Sequence, residues 1–145
     1  MSKVQKSKLC GLPSNKALGA LVFDKPHFLH SHEIETTEMI RRFGDEVMHI
    51  SPSGRPGAKT ADIRWRNELW EIKTIAGNSR SNIHHALQAA KTQSPNIIVC
   101  IPKTKRSNDV VLRDVTSYMS RSKSIKKVLV IIGQCYCEIT RDLLQ

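Results

Sequence analysis

Asp62, Glu71 and Lys73 are the residues whose types and spacing could do chemistry together. Asp62 opens a short alternating run, Arg66-Asn67 offers a turn, and Glu71-Ile72-Lys73 lies on the returning arm. Strand side chains alternate between faces, so Glu71 and Lys73 share one face while Trp70 and Ile72 take the other. A hairpin closed on Arg66-Asn67 sets Asp62 opposite Glu71. That brings two like charges to about 5 Å apart at Cβ, which is destabilising unless positive charge lies between them. A divalent metal supplies that charge and Lys73 adds more, the chemistry being metal-assisted cleavage of a phosphodiester. A turn centred on Asn67-Glu68 would instead pair Asp62 with Lys73, a plain ion pair with no need of metal.

The surrounding elements follow from periodicity and capping. Ser31 is a candidate cap for a first helix, with Glu33 and Glu35 in its first turn, Thr36, Met39, Ile40 and Phe43 on one side, and Gly44 as its stop. A strand over residues 46–50 and a Ser/Pro/Gly loop over 51–57 precede the hairpin. After a polar loop at 77–80, Ser81 or Asn82 caps a second helix striped by Ile83, Ala86, Leu87 and Ala90, which ends before Pro95. Residues 97–101 form a continuously apolar strand of the kind buried on both faces in parallel pairing. Asp109 is a cap for a third helix reaching Tyr118 or Met119. A buried strand at 127–132 follows, with a short edge strand at 135–139. The fold class is therefore α/β in the order α-β-β-β-α-β-α-β. Residues 1–30 form a partly ordered basic arm and residues 31–145 a single domain.

Composition narrows the partner. Lys and Arg number 23 against 13 Asp and Glu, a formal charge of +10 in 145 residues, and such an excess favours a polyanion, nucleic acid above all. Aromatic residues make up only 5%, which argues against binders that stack single-stranded bases on aromatic platforms. No apolar run approaches the roughly 20 residues that cross a bilayer, so no membrane partner is expected. Residues 1–8 are basic but lack the apolar stretch of a signal peptide. Cys10, Cys100, Cys135 and Cys137 are poorly spaced for zinc and read as reduced thiols in a chain that acts in the cytoplasm.

Several polar groups could meet a substrate backbone. Ser79, Arg80 and Ser81 stand near a helix N-terminus suited to phosphate, His84 and His85 open that helix, and Lys103, Lys105 and Arg106 follow a strand end. Each also reads as an ordinary solvated loop or helix start.

The element order, with Asp62 and Glu71-Ile72-Lys73 on the second and third strands, resembles the PD-(D/E)XK nuclease superfamily. The resemblance implies a restriction-endonuclease-like core, a mixed central sheet flanked by helices (α-β-β-β-α-β with an additional α-β). Thr60-Ala61-Asp62 departs from the Pro-Asp frequent in that family, although the aspartate alone carries the chemistry. The longer stretch from Asp62 to Val99 adds Glu71-Ile72-Lys73-Thr74, Ala89-Ala90-Lys91-Thr92-Gln93-Ser94 and Asn96-Ile97-Ile98-Val99. It looks like the C-terminal nuclease domains of contact-dependent growth inhibition toxins, most of all the group that cleaves tRNA, and similar domains end phage head-morphogenesis proteins and other polymorphic toxins.

The resemblance makes Asp62 and Glu71 metal ligands, with the Ile72 carbonyl as a third, around Mg²⁺ or Mn²⁺. Lys73 becomes the group that handles the attacking water or the developing phosphorane charge. A helix-one glutamate, Glu35 or Glu33, and the motif glutamine Gln93 complete the catalytic set. The implied function is a metal-dependent endoribonuclease acting on tRNA, a toxin or toxin-derived domain delivered as part of a secreted toxin and held in check by an acidic immunity protein. Three alternatives stay open: a DNA endonuclease on the same fold, a non-catalytic nucleic-acid-binding module, and a metal-independent RNase built on His84, Lys73 and Ser81.

Overall fold

The computed structural model describes residues 3–13, 17–26, 28–51 and 61–142, except the side chains of Lys3, Arg80 and Asp142. The 52–57 part of the Ser/Pro/Gly loop, and Thr60 before the aspartate, lie outside the described residues. The strands are β1 (Lys3–Lys6), β2 (Cys10–Gly11), β3 (Leu21–Phe23), β4 (Val47–His49), β5 (Ile63–Trp65), β6 (Glu68–Thr74), β7 (Asn96–Ile101), β8 (Lys127–Ile132) and β9 (Cys135–Asp142). The helices are α1 (Ser31–Arg41), α2 (Arg80–Ala90) and α3 (Asn108–Arg121). The strands join one mixed nine-stranded sheet in the order β1-β9-β8-β7-β6-β5-β4-β3, with β2 also on β9. The α/β reading holds at this level.

The apolar run at β7 pairs in parallel with β6 on one side and β8 on the other, and every residue of β7 is buried. Its alternation divides the interior. Ile97, Val99 and Ile101 pack with Ile83 and Leu87 of α2 and Val111, Val115 and Met119 of α3. Ile98 and Cys100 pack on the opposite face with Ile40 of α1, Val47, Ile63 and the two tryptophans. The sheet is thus sandwiched between α1 on one face and α2 with α3 on the other, each helix burying its apolar stripe.

Helix starts lie slightly upstream of those read from sequence. His30, not Ser31, caps α1, and the Glu33 carboxylate accepts from the His30 backbone N–H at 3.2 Å. Ser79, not Ser81 or Asn82, caps α2, and Ser107, not Asp109, caps α3 through Val110 N at 3.3 Å. An extended residue with a free side-chain acceptor fits the cap, and the residues expected there fall inside the first turn. The arm expected over residues 1–30 supplies β1, β2 and β3. As a result β9 is not the short edge strand expected: it runs eight residues and pairs with β8 on one side and with β1 and β2 on the other.

The β5–β6 hairpin closes on Arg66-Asn67, which take φ values of 52° and 62°. Two consecutive left-handed residues suit the twist of a two-residue hairpin turn. Arg66 is held there by Asp45 at 3.0 Å and by the faces of Trp65 and Phe43. Trp70 donates its indole N–H to the Trp65 carbonyl at 3.0 Å, and both indoles are 1% exposed. A β-branched residue in the second left-handed position costs about 1–2 kcal/mol. Asn67→Val is therefore expected to lower stability by that amount, read as a lower urea midpoint at unchanged m-value.

Candidate functional site

The hairpin register is Ile63 with Trp70, Arg64 with Leu69, and Trp65 with Glu68, so it leads on to Asp62 facing Glu71. Glu71 and Lys73 pair with Ile97 and Val99 of β7, which places them on the sheet face of α2 and α3. Beyond Ile63 the two strands part. Asp62 N donates to the Trp70 carbonyl at 3.0 Å, and Ile50 N donates to the Asp62 carbonyl at 2.9 Å. The Asp62 carboxylate then fills the gap, its Oδ2 accepting from the Ile72 N–H at 2.8 Å. A strand residue directs its N–H and C=O to the same side, so the Ile72 carbonyl opens on this gap as well.

Glu71 is 6% exposed, and its Oε1 is buried without a hydrogen-bond partner. Lys73 Nζ stands 3.5 Å from Glu71 Oε2. Burial pushes the Glu71 carboxyl up to about 8, and the Asp62 charge pushes the same way while Lys73 opposes it. Asp62 is also raised by burial, against the Ile72 N–H and its hydrogen bond with Glu71. The two carboxyls thus sit side by side, and burial together with the neighbouring Asp62 charge favours the protonated form of Glu71. An orphaned carboxylate oxygen, a second carboxylate and a backbone carbonyl make the hard oxygen set that suits Mg²⁺ or Mn²⁺. Among the described residues no three His, Cys, Asp or Glu side chains converge as a metal cluster, so a cation here could draw only on two carboxylates and backbone.

The outer members separate. Glu33 is the α1 carboxylate whose charge reaches Asp62. Glu35 is exposed, lining a groove with Leu18, Ile34 and Arg42, and its charge acts on Cys100. Of the two glutamates it is Glu33 whose charge Asp62 feels, and Glu33 also closes the α1 cap. Gln93 is half-buried in the turn after α2, and its side chain makes no hydrogen bond among the described residues.

Ser79 and Ser81 hydrogen-bond each other at 2.7 Å at the start of α2, while the Arg80 side chain lies outside the described residues. His84 rests on the Tyr118 ring, 5.3 Å between centroids, between α2 and α3. Lys103 is exposed, and the Lys105 backbone N–H is tied to Asn78 Oδ1 at 2.7 Å in the loop after β7.

Sequence reasoning missed the anchors of β6. Ser94 Oγ donates to the Leu69 carbonyl at 2.8 Å, and Asn96 Nδ2 donates to the same oxygen at 3.1 Å and to Glu68 at 3.2 Å. Lys127 completes the set on Glu68 at 2.5 Å. The only signal was a polar pair flanking Pro95 just before an apolar strand.

Comparison with known proteins bears on this stretch. The contact-dependent growth inhibition CdiA C-terminal domain family matches residues 59–134, which include both carboxylates and Lys73. Among solved structures, a chain of the CdiA-CT/CdiI toxin and immunity complex from Burkholderia pseudomallei is 16% identical, covering 79% of this chain and 93% of that chain at a TM-score of 0.47. No curated protein matches.

The raised Glu71 carboxyl has a thermodynamic signature. The fold binds a proton that the unfolded chain releases above its ordinary value of 4.5, so metal-free protein loses stability as pH rises from there to about 8. Thermal midpoints are expected to fall across that window without metal. Mn²⁺ should restore them most at its alkaline end, and Glu71→Gln should flatten the profile. A wild-type profile already as flat as that of the Gln variant rules out the buried proton.

Proposed function

The chain belongs to the contact-dependent growth inhibition CdiA C-terminal domain family, which makes it a growth-inhibition toxin domain, and we propose that it is a metal-dependent endonuclease cleaving RNA, with tRNA as substrate. The observation that carries the nuclease reading is the buried Asp62–Glu71 pair, with its orphaned oxygen and Lys73 at 3.5 Å. Isolated, such a pair is a cost to the fold; as a cation site it has a use. The order α1-β4-β5-β6-α2-β7, with the pair on its central hairpin, supports a restriction-endonuclease-like core of the PD-(D/E)XK type. The choice of tRNA rests on the likeness of residues 62–99 to tRNA-cleaving toxin domains.

In this reading Asp62, Glu71 and the Ile72 carbonyl hold Mg²⁺ or Mn²⁺. The ion, when bound, polarises the scissile phosphate and lowers the pKa of a bound water. Loading would require the carboxylate form of Glu71, so affinity would rise with pH. The Ile72 N–H fixes the Asp62 carboxylate in one orientation. Lys73, a third exposed at the mouth of the site, orients the attacking water and neutralises charge on the phosphorane. Glu33 adds negative charge behind Asp62, strengthening its hold on a cation. The packing of His84 on Tyr118 supports the metal site over a metal-free mechanism based on that histidine.

A toxin must be silenced in the cell that makes it. With a chain charge of +10, an acidic immunity protein captured by complementary charge is the partner this reading calls for.

The test incubates the protein with total tRNA and with plasmid DNA, with Mg²⁺ or with excess EDTA. Expected is tRNA cleavage that EDTA abolishes and that falls at least about 100-fold in Asp62→Asn, Glu71→Gln and Lys73→Met. Cleavage that survives EDTA overturns the metal site. Plasmid cleavage with tRNA left intact replaces RNA by DNA.

A further inference from the structure

The sheet face that carries Glu71 is covered by α2 and α3 over its β7–β9 half, whereas the β3–β5 half has no described helix upon it. The pairings Val22 with Met48, Met48 with Arg64, and Arg64 with Leu69 run one row straight across four strands. Leu69 stands two residues from Glu71 on the same strand, and Arg64 two residues from Asp62, so this row flanks the carboxyl pair at about 7 Å. Its members are open: Leu69 is 41% exposed, Arg64 is exposed, and Val22 and Met48 are half-buried.

Arg64 stands out within this row. Arg66 is matched to Asp45 and Arg106 to Asp114, and Arg141 donates to the Met119 and Ser122 carbonyls at the end of α3. Arg64 has no hydrogen bond or ion pair among the described residues, and its cross-strand neighbours, Met48 and Leu69, cannot supply one. Glu71 is its diagonal neighbour at about 7–8 Å, within an arginine's reach, yet the Glu71 oxygens lie beside Lys73 or stay orphaned. Arg64 lines a cleft with Asp45 and Glu46 but bonds to neither, which leaves a two-pronged anion donor one strand step from the proposed reaction centre.

Resting on the nuclease reading, we propose that Arg64 grips the phosphate next to the scissile one, on an unpaired strand of RNA laid across the Val22–Met48–Arg64–Leu69 row. The step of about 7 Å along β5 matches the spacing of neighbouring phosphates on an extended strand. Met48 and Leu69 flank the guanidinium with apolar surface suited to the face of an unstacked base. A planar guanidinium binds phosphate through two parallel N–H groups, which a lysine cannot reproduce. The chain's excess of positive charge favours the same occupant.

The experiment has two arms. Binding of a fluorescent single-stranded RNA oligonucleotide is measured in the Asp62→Asn background, with and without Arg64→Gln or Arg64→Lys. Cleavage of tRNA is measured with Asp62 intact. Removing the guanidinium is expected to weaken RNA binding on the order of tenfold, with lysine recovering only part of the loss. The slope of log affinity against log salt should become shallower by about 0.7, one phosphate contact on a single strand. In the cleavage arm the greater part of the loss should appear in KM, while the affinity for Mn²⁺ is retained. An affinity and salt slope unmoved by Arg64→Gln overturn the proposal, as does a loss confined to kcat. Absence of cleavage by the parent, with Arg64-dependent RNA binding intact, overturns the nuclease reading and leaves this surface standing.

Discussion

Where β5 parts from β6, the Ile72 N–H loses the neighbouring strand it would otherwise bond, and the Asp62 carboxylate takes that place at 2.8 Å. One hydrogen bond thereby does two jobs. It satisfies a backbone donor that would be costly to bury alone, and it fixes an acidic side chain in the plane of the sheet. Glu71 approaches from one face and Glu33 lends its charge from α1 on the other. Had the ladder continued, Asp62 would have been one more residue of a regular strand, its carboxylate directed away from the gap.

The rest of the molecule keeps that parting in place. The tryptophan pair and Ile63 bury the opposite face of the hairpin against α1, so a slip of one residue would turn both indoles toward water. Such slips are resisted in proportion to the apolar area at stake. At the other end of β6, Ser94, Asn96 and Lys127 bind Leu69 and Glu68 and fix the strand lengthwise against β7 and β8. The carboxyl pair is held between one apolar clamp and one polar clamp.

Much of this was legible in the chain because it depended on local pattern. Alternation and the Arg66-Asn67 turn fix the facing of Asp62 and Glu71, and the continuous run at β7 announces parallel burial. Gly44 was read as the stop of α1 and does take a left-handed φ of 93° just past the helix end. Less was legible where several elements had to meet. Glu33 and Glu35 flank the same apolar stripe, and only the placement of α1 over the sheet decides which one Asp62 feels. The N-terminal strands have weak periodicity because they are short and half-exposed, so nothing in their sequence signals that β9 needs them. Arg64 carries no signal in the sequence, because its setting exists only once a row across four strands is assembled. Its neighbours in that row lie far apart in sequence, at positions 22, 48 and 69.

The pairing of β1 with β9 joins Lys3 to Asp142, nearly the whole chain apart. Closing so wide a loop gains its reward only after the intervening chain has collapsed, whereas the β5–β6 hairpin forms from residues a few positions apart. Assembly therefore has a natural sequence, with the acidic hairpin early and the sheet's outer edge last. Local opening should follow the reverse order. Amides of β1 and β2 would exchange with solvent while those of β6 and β7 stay protected, so the molecule can fray at its far border without disturbing its carboxyl pair.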